Sequence, residues 1–237
     1  MGFDSISRTH VGHRRKLNED AVLDCGSRRI WAVADGMGGH HAGEVASAMI
    51  VEALAGIAPA GSFDNLVGEA LGALLDVNRA LIELAQSEED GRTMGSTVVG
   101  LVMSDVQFMC FWAGDSRAFR VRDGAITQLS RDHSLVQELV DAGMLEAADA
   151  EGHPNANVVT RAVGAAEELI VDTIGGTHQI NDLFLLASDG LTRLIGEQEL
   201  LEVLSANSLE VAADRLLELA LERGAPDNVS FVIVRAG

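Results

Sequence analysis

The chain alternates short apolar runs with longer stretches in which apolar residues recur at helical spacing. The apolar runs and their bounding turns predict strands at residues 3–9, 21–25, 30–34, 96–103, 106–113, 117–122, 170–173, 183–187 and 229–234. The Asp123-Gly124 pair is typical of a hairpin turn, so we expect a further strand from Ala125. The helical spacing predicts helices at residues 42–58, 62–86, 134–142, 197–204 and 209–223.

The order of these elements predicts an α+β fold. Consecutive strands are joined by tight turns, which favours antiparallel pairing. The helices come in pairs and do not alternate with single strands, which disfavours a doubly wound parallel sheet. We therefore expect helices packed outside one or two antiparallel sheets. Residues 131–165 interrupt this order, because most of this segment is acidic and loop-like.

Length and composition favour one domain without a membrane segment. The chain has 237 residues, 47% of them hydrophobic, and 3 Pro, with no internal repeat. We assign residues 1–237 to a single domain. No apolar stretch is long enough to span a bilayer, and the N-terminus lacks a signal-peptide pattern. Cys25 and Cys110 are expected to be reduced, so we expect a cytoplasmic protein.

The net charge narrows the possible partners. With 17 Lys+Arg against 36 Asp+Glu, the formal charge is −19, which should repel the phosphates of nucleic acids. Most of the surplus carboxylates are expected to form a solvated surface. A minority could converge and bind hard cations such as Mg²⁺ or Mn²⁺.

Aspartates at strand ends are the candidates for such a minority. The apolar run 31–34 ends at Asp35, which a glycine-rich turn follows, and four more aspartates border strands: Asp20, Asp115, Asp189 and Asp227. Each alone is typical of a turn or a helix cap. Gathered in one cleft they would repel one another, and a divalent cation would remove that cost. An all-oxygen ligand set suits Mg²⁺ or Mn²⁺, and no Cys/His cluster has zinc spacing.

Several motifs, taken together and in order, resemble those of the metal-dependent PPM (PP2C-type) Ser/Thr protein phosphatases. They lie at residues 15–20, 35–40, 114–117, 188–191 and 227–228, and two more, at residues 131–134 and 159–164, resemble the bacterial branch of the family. The resemblance implies a central antiparallel β-sandwich flanked by paired helices. It also implies that residues 131–165 contain a flap beside the active site.

The resemblance further implies a role for each site residue. Asp35 and the carbonyl of Gly36 would bind two core Mn²⁺ or Mg²⁺ ions, Asp20 one of them, and Asp189 with Asp227 the other. Glu19 would act through a metal-bound water, and Arg15 would bind the substrate phosphate. These roles make Arg15, Asp35 and Asp189 the central catalytic residues. In the bacterial branch, Asp115 would join Asp189 around a third, weaker ion.

One position departs from the family pattern. Met37 stands where many eukaryotic relatives carry a histidine that is thought to protonate the leaving alkoxide, and a thioether cannot donate a proton. The proton would come from a metal-bound water, from another histidine, or from no efficient donor. The candidates by motif are His40, His41, His133 and His153, although a structural role is the simpler interpretation of each.

The sequence thus predicts a bacterial-type phosphatase that hydrolyses phosphoserine and phosphothreonine in proteins. The implied partners are a Ser/Thr kinase and its substrates, and we expect a monomer. Two alternatives remain: a pseudophosphatase that only binds phosphoproteins, and a metal-assisted phosphohydrolase of small molecules. The intact set of aspartates argues against the first.

Overall fold

The computed structural model describes residues 2–38, 41–59, 61–87 and 94–237. Its strands are β1 (Phe3–His10), β2 (Asp20–Cys25), β3 (Ile30–Met37), β4 (Gly95–Ser96), β5 (Val98–Met103), β6 (Gln107–Ala113), β7 (Arg117–Arg122), β8 (Ala125–Gln128), β9 (Asp172–Thr177), β10 (Leu183–Ala187) and β11 (Val229–Ala236). Its α-helices are α1 (Ala42–Ala55), α2 (Phe63–Ser87), α3 (Leu135–Asp141), α4 (Asp189–Thr192), α5 (Glu197–Ala206) and α6 (Leu209–Glu222).

The strands form two antiparallel sheets. One sheet has the order β1-β11-β10-β7-β8, and the other has the order β2-β3-β5-β6-β9, with β4 paired to the end of β3. The alternation along β10 shows how the layers pack: Phe184 and Leu186 point between the sheets, whereas Leu183, Leu185 and Ala187 point toward α5 and α6. Helices α1 and α2 cover the outer face of the second sheet. The predicted α+β fold is therefore confirmed as helix, sheet, sheet, helix layers.

Among the strand limits that were predicted wrongly, those of β3 and β9 differ most from the structure. Strand β3 continues past Ala34 to Met37, because Gly36 and Met37 pair with β4. Strand β9 begins at Asp172 and runs through Gly175 and Gly176, beyond the predicted 170–173, because it pairs with β6 at the sheet edge. In both cases a neighbouring strand supplies the hydrogen bonds for residues of low strand propensity.

The segment 131–165 has little regular structure. It contains α3 and a short 3₁₀ turn at Ala147–Asp149, and most of its remaining residues form turns. We call residues 146–157 the flap tip. The tip is mostly exposed. It lies between Ser134 and Val159, which form an isolated bridge at the base of the segment. Its role as a flap stays a prediction.

None of the helices in the described parts of the chain is long and apolar enough to cross a membrane. Cys25 and Cys110 are both free cysteines.

Gly100 tests the packing within the second sheet. It lies opposite Phe111 on the neighbouring strand, and a Cβ atom at this position would overlap the phenyl ring. We expect Gly100→Ala to lower the free energy of unfolding by about 1–3 kcal/mol, because the ring must leave its site in the core. Gly68→Ala is the control, since Gly68 lies in α2 with open space around it. That change should stabilise the protein by up to about 1 kcal/mol in urea unfolding. Equal stability of the two variants would contradict the packing.

Candidate active site

The five predicted aspartates lie where the two sheets end beside each other. Asp20 opens β2 and pairs in register with Asp35 on β3. Asp115 follows β6, Asp189 follows β10, and Asp227 precedes β11. A cavity of about 230 Å³ opens there, and its lining includes four of the five, with Asp20 beside it. The structure thus brings together carboxylates that are up to 207 positions apart between Asp20 and Asp227.

Two glycines allow the backbones around the site to touch. A Cβ atom at Gly36 would overlap the carbonyl oxygen of Gly43 at the start of α1. A Cβ atom at Gly190 would overlap the carbonyl oxygen of Asn228. The first contact fixes the end of β3 against α1, and the second fixes the residue after Asp189 against the start of β11.

Asn228 holds the loop that carries Arg15. Its side-chain oxygen accepts a hydrogen bond from the Glu19 N–H at 2.8 Å, and its amide nitrogen donates to the carbonyls of Val11 and Leu17 at 2.9 and 3.0 Å. The buried amide therefore satisfies three backbone groups of one irregular loop.

Asp20 has one satisfied oxygen and one unsatisfied oxygen. The Ser188 hydroxyl donates to Asp20 Oδ2 at 3.0 Å, which joins the two sheets. Asp20 Oδ1 is buried and has no hydrogen-bond partner among the described residues. Burial raises the pKa of Asp20 to about 7, and the charges of Asp189 and Asp227 add to the shift. A buried, unpartnered carboxylate oxygen is a ready position for a cation.

The pKa values of the other central carboxylates are raised in the same way. Burial, followed by the charges of Asp20, Asp189 and Asp115, raises the pKa of Asp35 well above its ordinary value. Burial also raises the pKa of Asp189, and together with the Asp189 charge it raises the pKa of Asp115 to about 7. The folded protein therefore holds several carboxylates that resist being charged together, and a divalent cation would relieve this repulsion.

Two guanidinium groups partly offset these charges. Arg15 Nη2 lies 2.7 Å from Asp227 Oδ2, and this hydrogen bond raises the pKa of Arg15. Arg193 Nη2 lies 3.0 Å from Asp189 Oδ2 and 3.4 Å from Asp115 Oδ2. The Arg15 side chain is 51% exposed, so part of its guanidinium stays open to a ligand.

The residues fit a divalent cation by the chemistry of their donors. All are oxygens, and the unpartnered Asp20 oxygen lies among them. As the side chains stand, no group of three or more His, Cys, Asp or Glu residues in the described parts of the chain could already hold a metal ion. This agrees with the geometry, because Arg15 and Arg193 engage three of the carboxylates. The carboxylates are gathered at the site, and binding an ion requires their side chains to turn toward it.

Glu19 lies at the edge of the same cavity. Its backbone carbonyl accepts hydrogen bonds from the Gly36 N–H at 3.1 Å and from the Ser47 hydroxyl at 2.6 Å. Burial raises the pKa of its side chain. The position is compatible with contact through a water, which stays a prediction.

The described candidate histidines form no hydrogen bond or ion pair with the five aspartates, although His41 lines a neighbouring cavity together with Arg15 and Glu19. His133 is buried, accepts a hydrogen bond from the Gly114 N–H and contacts Asp172, and burial lowers its pKa. His41 pairs with Glu44, and His153 accepts from the backbone of Asn155 within the flap tip. None of these three lines the cavity that contains Asp35 and Met37. The fourth candidate, His40, lies outside the described residues.

Two features of the site were not predicted from the sequence: the position of Arg193 and the structural role of Asn228. The spacing in the sequence could have indicated the position of Arg193, because Arg193 follows Asp189 by four residues and a helical turn would bring the two side chains together. Asn228 was recognised as part of a motif, but its three backbone partners come from residues more than 200 positions away. No local pattern could identify them.

Two curated relatives resemble this chain over most of its length. The Serine/threonine protein phosphatase PstP of Mycobacterium tuberculosis is 35% identical over 227 residues, which are 96% of this chain and 44% of that protein. The chain therefore spans less than half of PstP. The Serine/threonine phosphatase stp of Listeria monocytogenes is 37% identical over 236 residues, which are 96% of this chain and 93% of the relative.

Solved structures share the fold. PppA, described as a key regulatory component of T6SS in Pseudomonas aeruginosa, has a TM-score of 0.91 and 42% identity, covering 100% of this chain and 99% of its own. The catalytic domain of PstP in complex with 2 manganese ions has a TM-score of 0.88 and 33% identity, covering 99% and 98%. Residues 9–223 match the family described as Protein phosphatase 2C. This match and these relatives show that the chain belongs to the Protein phosphatase 2C family.

Proposed function

We propose that this protein hydrolyses phosphoserine and phosphothreonine in proteins, with Mn²⁺ or Mg²⁺ as its cofactor. The observation that carries the proposal is the group of buried carboxylates with raised pKa values around the unpartnered oxygen of Asp20. Family membership supports the reaction class, and the manganese complex of the PstP catalytic domain supports the choice of cofactor.

In this proposal, each site residue contacts one ion of the pair or both. Asp35 and the carbonyl of Gly36 would contact both core ions, Asp20 one of them, and Asp189 with Asp227 the other. Glu19 would contact a core ion indirectly, through a water. When bound, such a pair of ions lowers the pKa of a shared water enough to supply hydroxide near neutral pH.

Arg15 is the proposed binder of the substrate phosphate. Its Nη2 is engaged by Asp227, but a guanidinium has five N–H donors and the side chain is 51% exposed. Arg15 lines the cavity that contains Asp35 and Gly36, so its other donors are close to the proposed reaction site. A guanidinium can bind two phosphate oxygens at once, which both orients the phosphate and offsets its charge.

The leaving alkoxide obtains no proton from Met37. Because the described histidines do not line this cavity, we propose that a water at the site supplies the proton. Such a mechanism should favour substrates with acidic leaving groups, such as aryl phosphates.

The biological assignment is part of the same proposal. The protein would act as a cytoplasmic monomer on phosphoproteins, opposing a Ser/Thr kinase, with residues 1–237 as one domain and residues 131–165 as its flap. The rival functions, phosphoprotein binding without turnover and hydrolysis of small phosphoesters, would give different rates on phosphopeptides and on small phosphoesters. Comparing the two substrate classes with and without Mn²⁺ distinguishes all three.

Activity should require the metal and the central carboxylates. We expect turnover of a phosphothreonine peptide to be lost in EDTA and restored by Mn²⁺ or Mg²⁺. Asp35→Asn and Asp189→Asn should each reduce kcat by at least about a hundredfold while leaving the circular dichroism spectrum unchanged. Asp105→Asn is a control, since Asp105 pairs with Arg29 on the surface. Undiminished turnover in metal-free buffer would refute the proposed function.

The metal-free protein should become less stable as the pH rises from about 4 to 7. The pKa values of Asp20 and Asp115 are raised to about 7, so the folded state holds more protons than the unfolded state between roughly pH 4 and 7. The free energy of unfolding in EDTA should therefore fall across this window. Mn²⁺ should raise the melting temperature more at pH 8 than at pH 6. Asp20→Asn should flatten the pH dependence, and a wild-type stability that rises with pH would contradict the raised pKa values.

Arg15→Ala should weaken use of the phosphate. A bidentate, charge-assisted contact is worth roughly 1.5–3 kcal/mol, which corresponds to a loss of about 10- to 100-fold in kcat/KM, mainly through KM. Arg14→Ala is the matched control, because Arg14 is the exposed neighbour in the same loop. Mn²⁺ affinity, measured by calorimetry, should rise slightly in Arg15→Ala, because the change releases the partly exposed Asp227 from its ion pair, and should stay the same in Arg14→Ala. Equal kcat/KM in both variants would make Arg15 a surface charge without a role in binding.

A further inference from the structure

Arg193 is a cation that the chain itself places between two carboxylates of the site. Its Nη2 lies 3.0 Å from Asp189 Oδ2 and 3.4 Å from Asp115 Oδ2. The two aspartate side chains are 18% and 7% exposed, whereas that of Arg193 is 32% exposed. The position follows from local structure, because Arg193 comes directly after α4, one helical turn beyond Asp189.

The same guanidinium holds the flap tip. Nη2 donates to the carbonyl of Ala156 at 3.1 Å, and Nη1 donates to the side-chain oxygen of Asn157. Within the described parts of the chain, every other hydrogen bond of residues 146–157 has its partner within 146–158. Among the described residues, Arg193 therefore supplies the hydrogen bonds that join the flap tip to segments outside 146–158.

Arg193 also lines a second cavity, which adjoins the first through two shared aspartates. The cavity that contains Asp35 and Arg15 shares Asp115 and Asp189 with a second cavity of about 230 Å³, which Arg193 lines together with flap-tip residues Ala150 and Glu151. A change in the position of Arg193 would thus affect the carboxylates on one side and the flap tip on the other.

We propose that Arg193 is a positioning residue that latches the flap tip to the active site while it neutralises Asp115 and Asp189. A third divalent ion bound to these two carboxylates would compete with the guanidinium, because both cations need the same oxygens and repel each other. Binding of that ion would therefore release Arg193 and free the flap tip. This inference rests on the proposed function, since it assumes that two core ions are already bound.

The electrostatics support this competition. Burial raises the pKa values of Asp115 and Asp189, and the charge of Arg193 opposes the shift at both. Without Arg193, two buried carboxylates would lack this compensation, and a divalent ion between them would gain affinity. By linkage, an ion that displaces the latch must bind more weakly when the latch is intact.

The test combines Mn²⁺ calorimetry with hydrogen exchange of residues 146–157. In the wild type, we expect the flap tip to stay protected when two ions are bound and to exchange faster when excess Mn²⁺ fills a weaker third site. In Arg193→Gln, the third ion should bind at least about tenfold more tightly. The flap tip of this variant should exchange fast at every Mn²⁺ concentration.

Arg193→Lys separates the charge from the latch. A lysine keeps a cation beside Asp115 and Asp189 but lacks the planar fork that reaches Ala156 and Asn157. We expect this variant to keep the weak third site of the wild type and to show the fast flap-tip exchange of Arg193→Gln. Arg131→Gln is the matched control: it removes an exposed guanidinium that pairs with Asp141 at the base of the same segment. Neither measurement should change in it.

The outcomes distinguish the latch from the proposed function. If wild-type protein binds no Mn²⁺, the proposed function fails. If two ions bind tightly but Arg193→Gln changes neither the third site nor flap-tip exchange, the latch alone is refuted. Slower flap-tip exchange of the wild type in excess Mn²⁺ would also refute it. Since that titration uses the unmodified chain, it decides the question even if the glutamine variant does not fold.

Discussion

Repulsion among largely buried carboxylates is the constraint on which this candidate active site depends. Asp20, Asp35, Asp115 and Asp189 lie close together and are largely withdrawn from water, and both effects raise their pKa values. Without the constraint of the fold, these carboxylates would move apart or become protonated. They stay together because each lies at or close to the end of a strand, and the hydrophobic layers hold those strands in place. The fold therefore keeps mutually repelling carboxylates close together, and a divalent cation would relieve this repulsion.

The layers meet at the site through backbone contacts that only glycine allows. Gly36 touches Gly43, and Gly190 touches Asn228, so α1 and the start of β11 approach the carboxylates without intervening side chains. The Ser188 hydroxyl then joins the first sheet to Asp20 on the second. These contacts are short and directional. Because of them, the packing of apolar side chains several residues away can fix the relative positions of the carboxylates.

Arginine side chains of the chain itself partly neutralise the carboxylates at the site. In a protein with a formal charge of −19, two guanidinium groups lie among the central aspartates: Arg15 beside Asp227, and Arg193 beside Asp115 and Asp189. The two differ in what else they contact. Arg15 is half exposed and lines the open cavity, which suits binding of a phosphate. Arg193 contacts both these carboxylates and the flap tip, which suits the proposed latch.

The sequence by itself determined the element order, the α+β class and the aspartates at strand ends, because hydrophobic period and turn chemistry are local properties. It also contained the ordered motifs that identify the family. Only the tertiary structure decided that strands β3 and β9 extend beyond their apolar runs, since their partners supply the hydrogen bonds. It alone placed Asn228 against a loop more than 200 residues away and Arg193 between two carboxylates and the flap tip. Such contacts depend on how distant segments pack, and no local pattern encodes that.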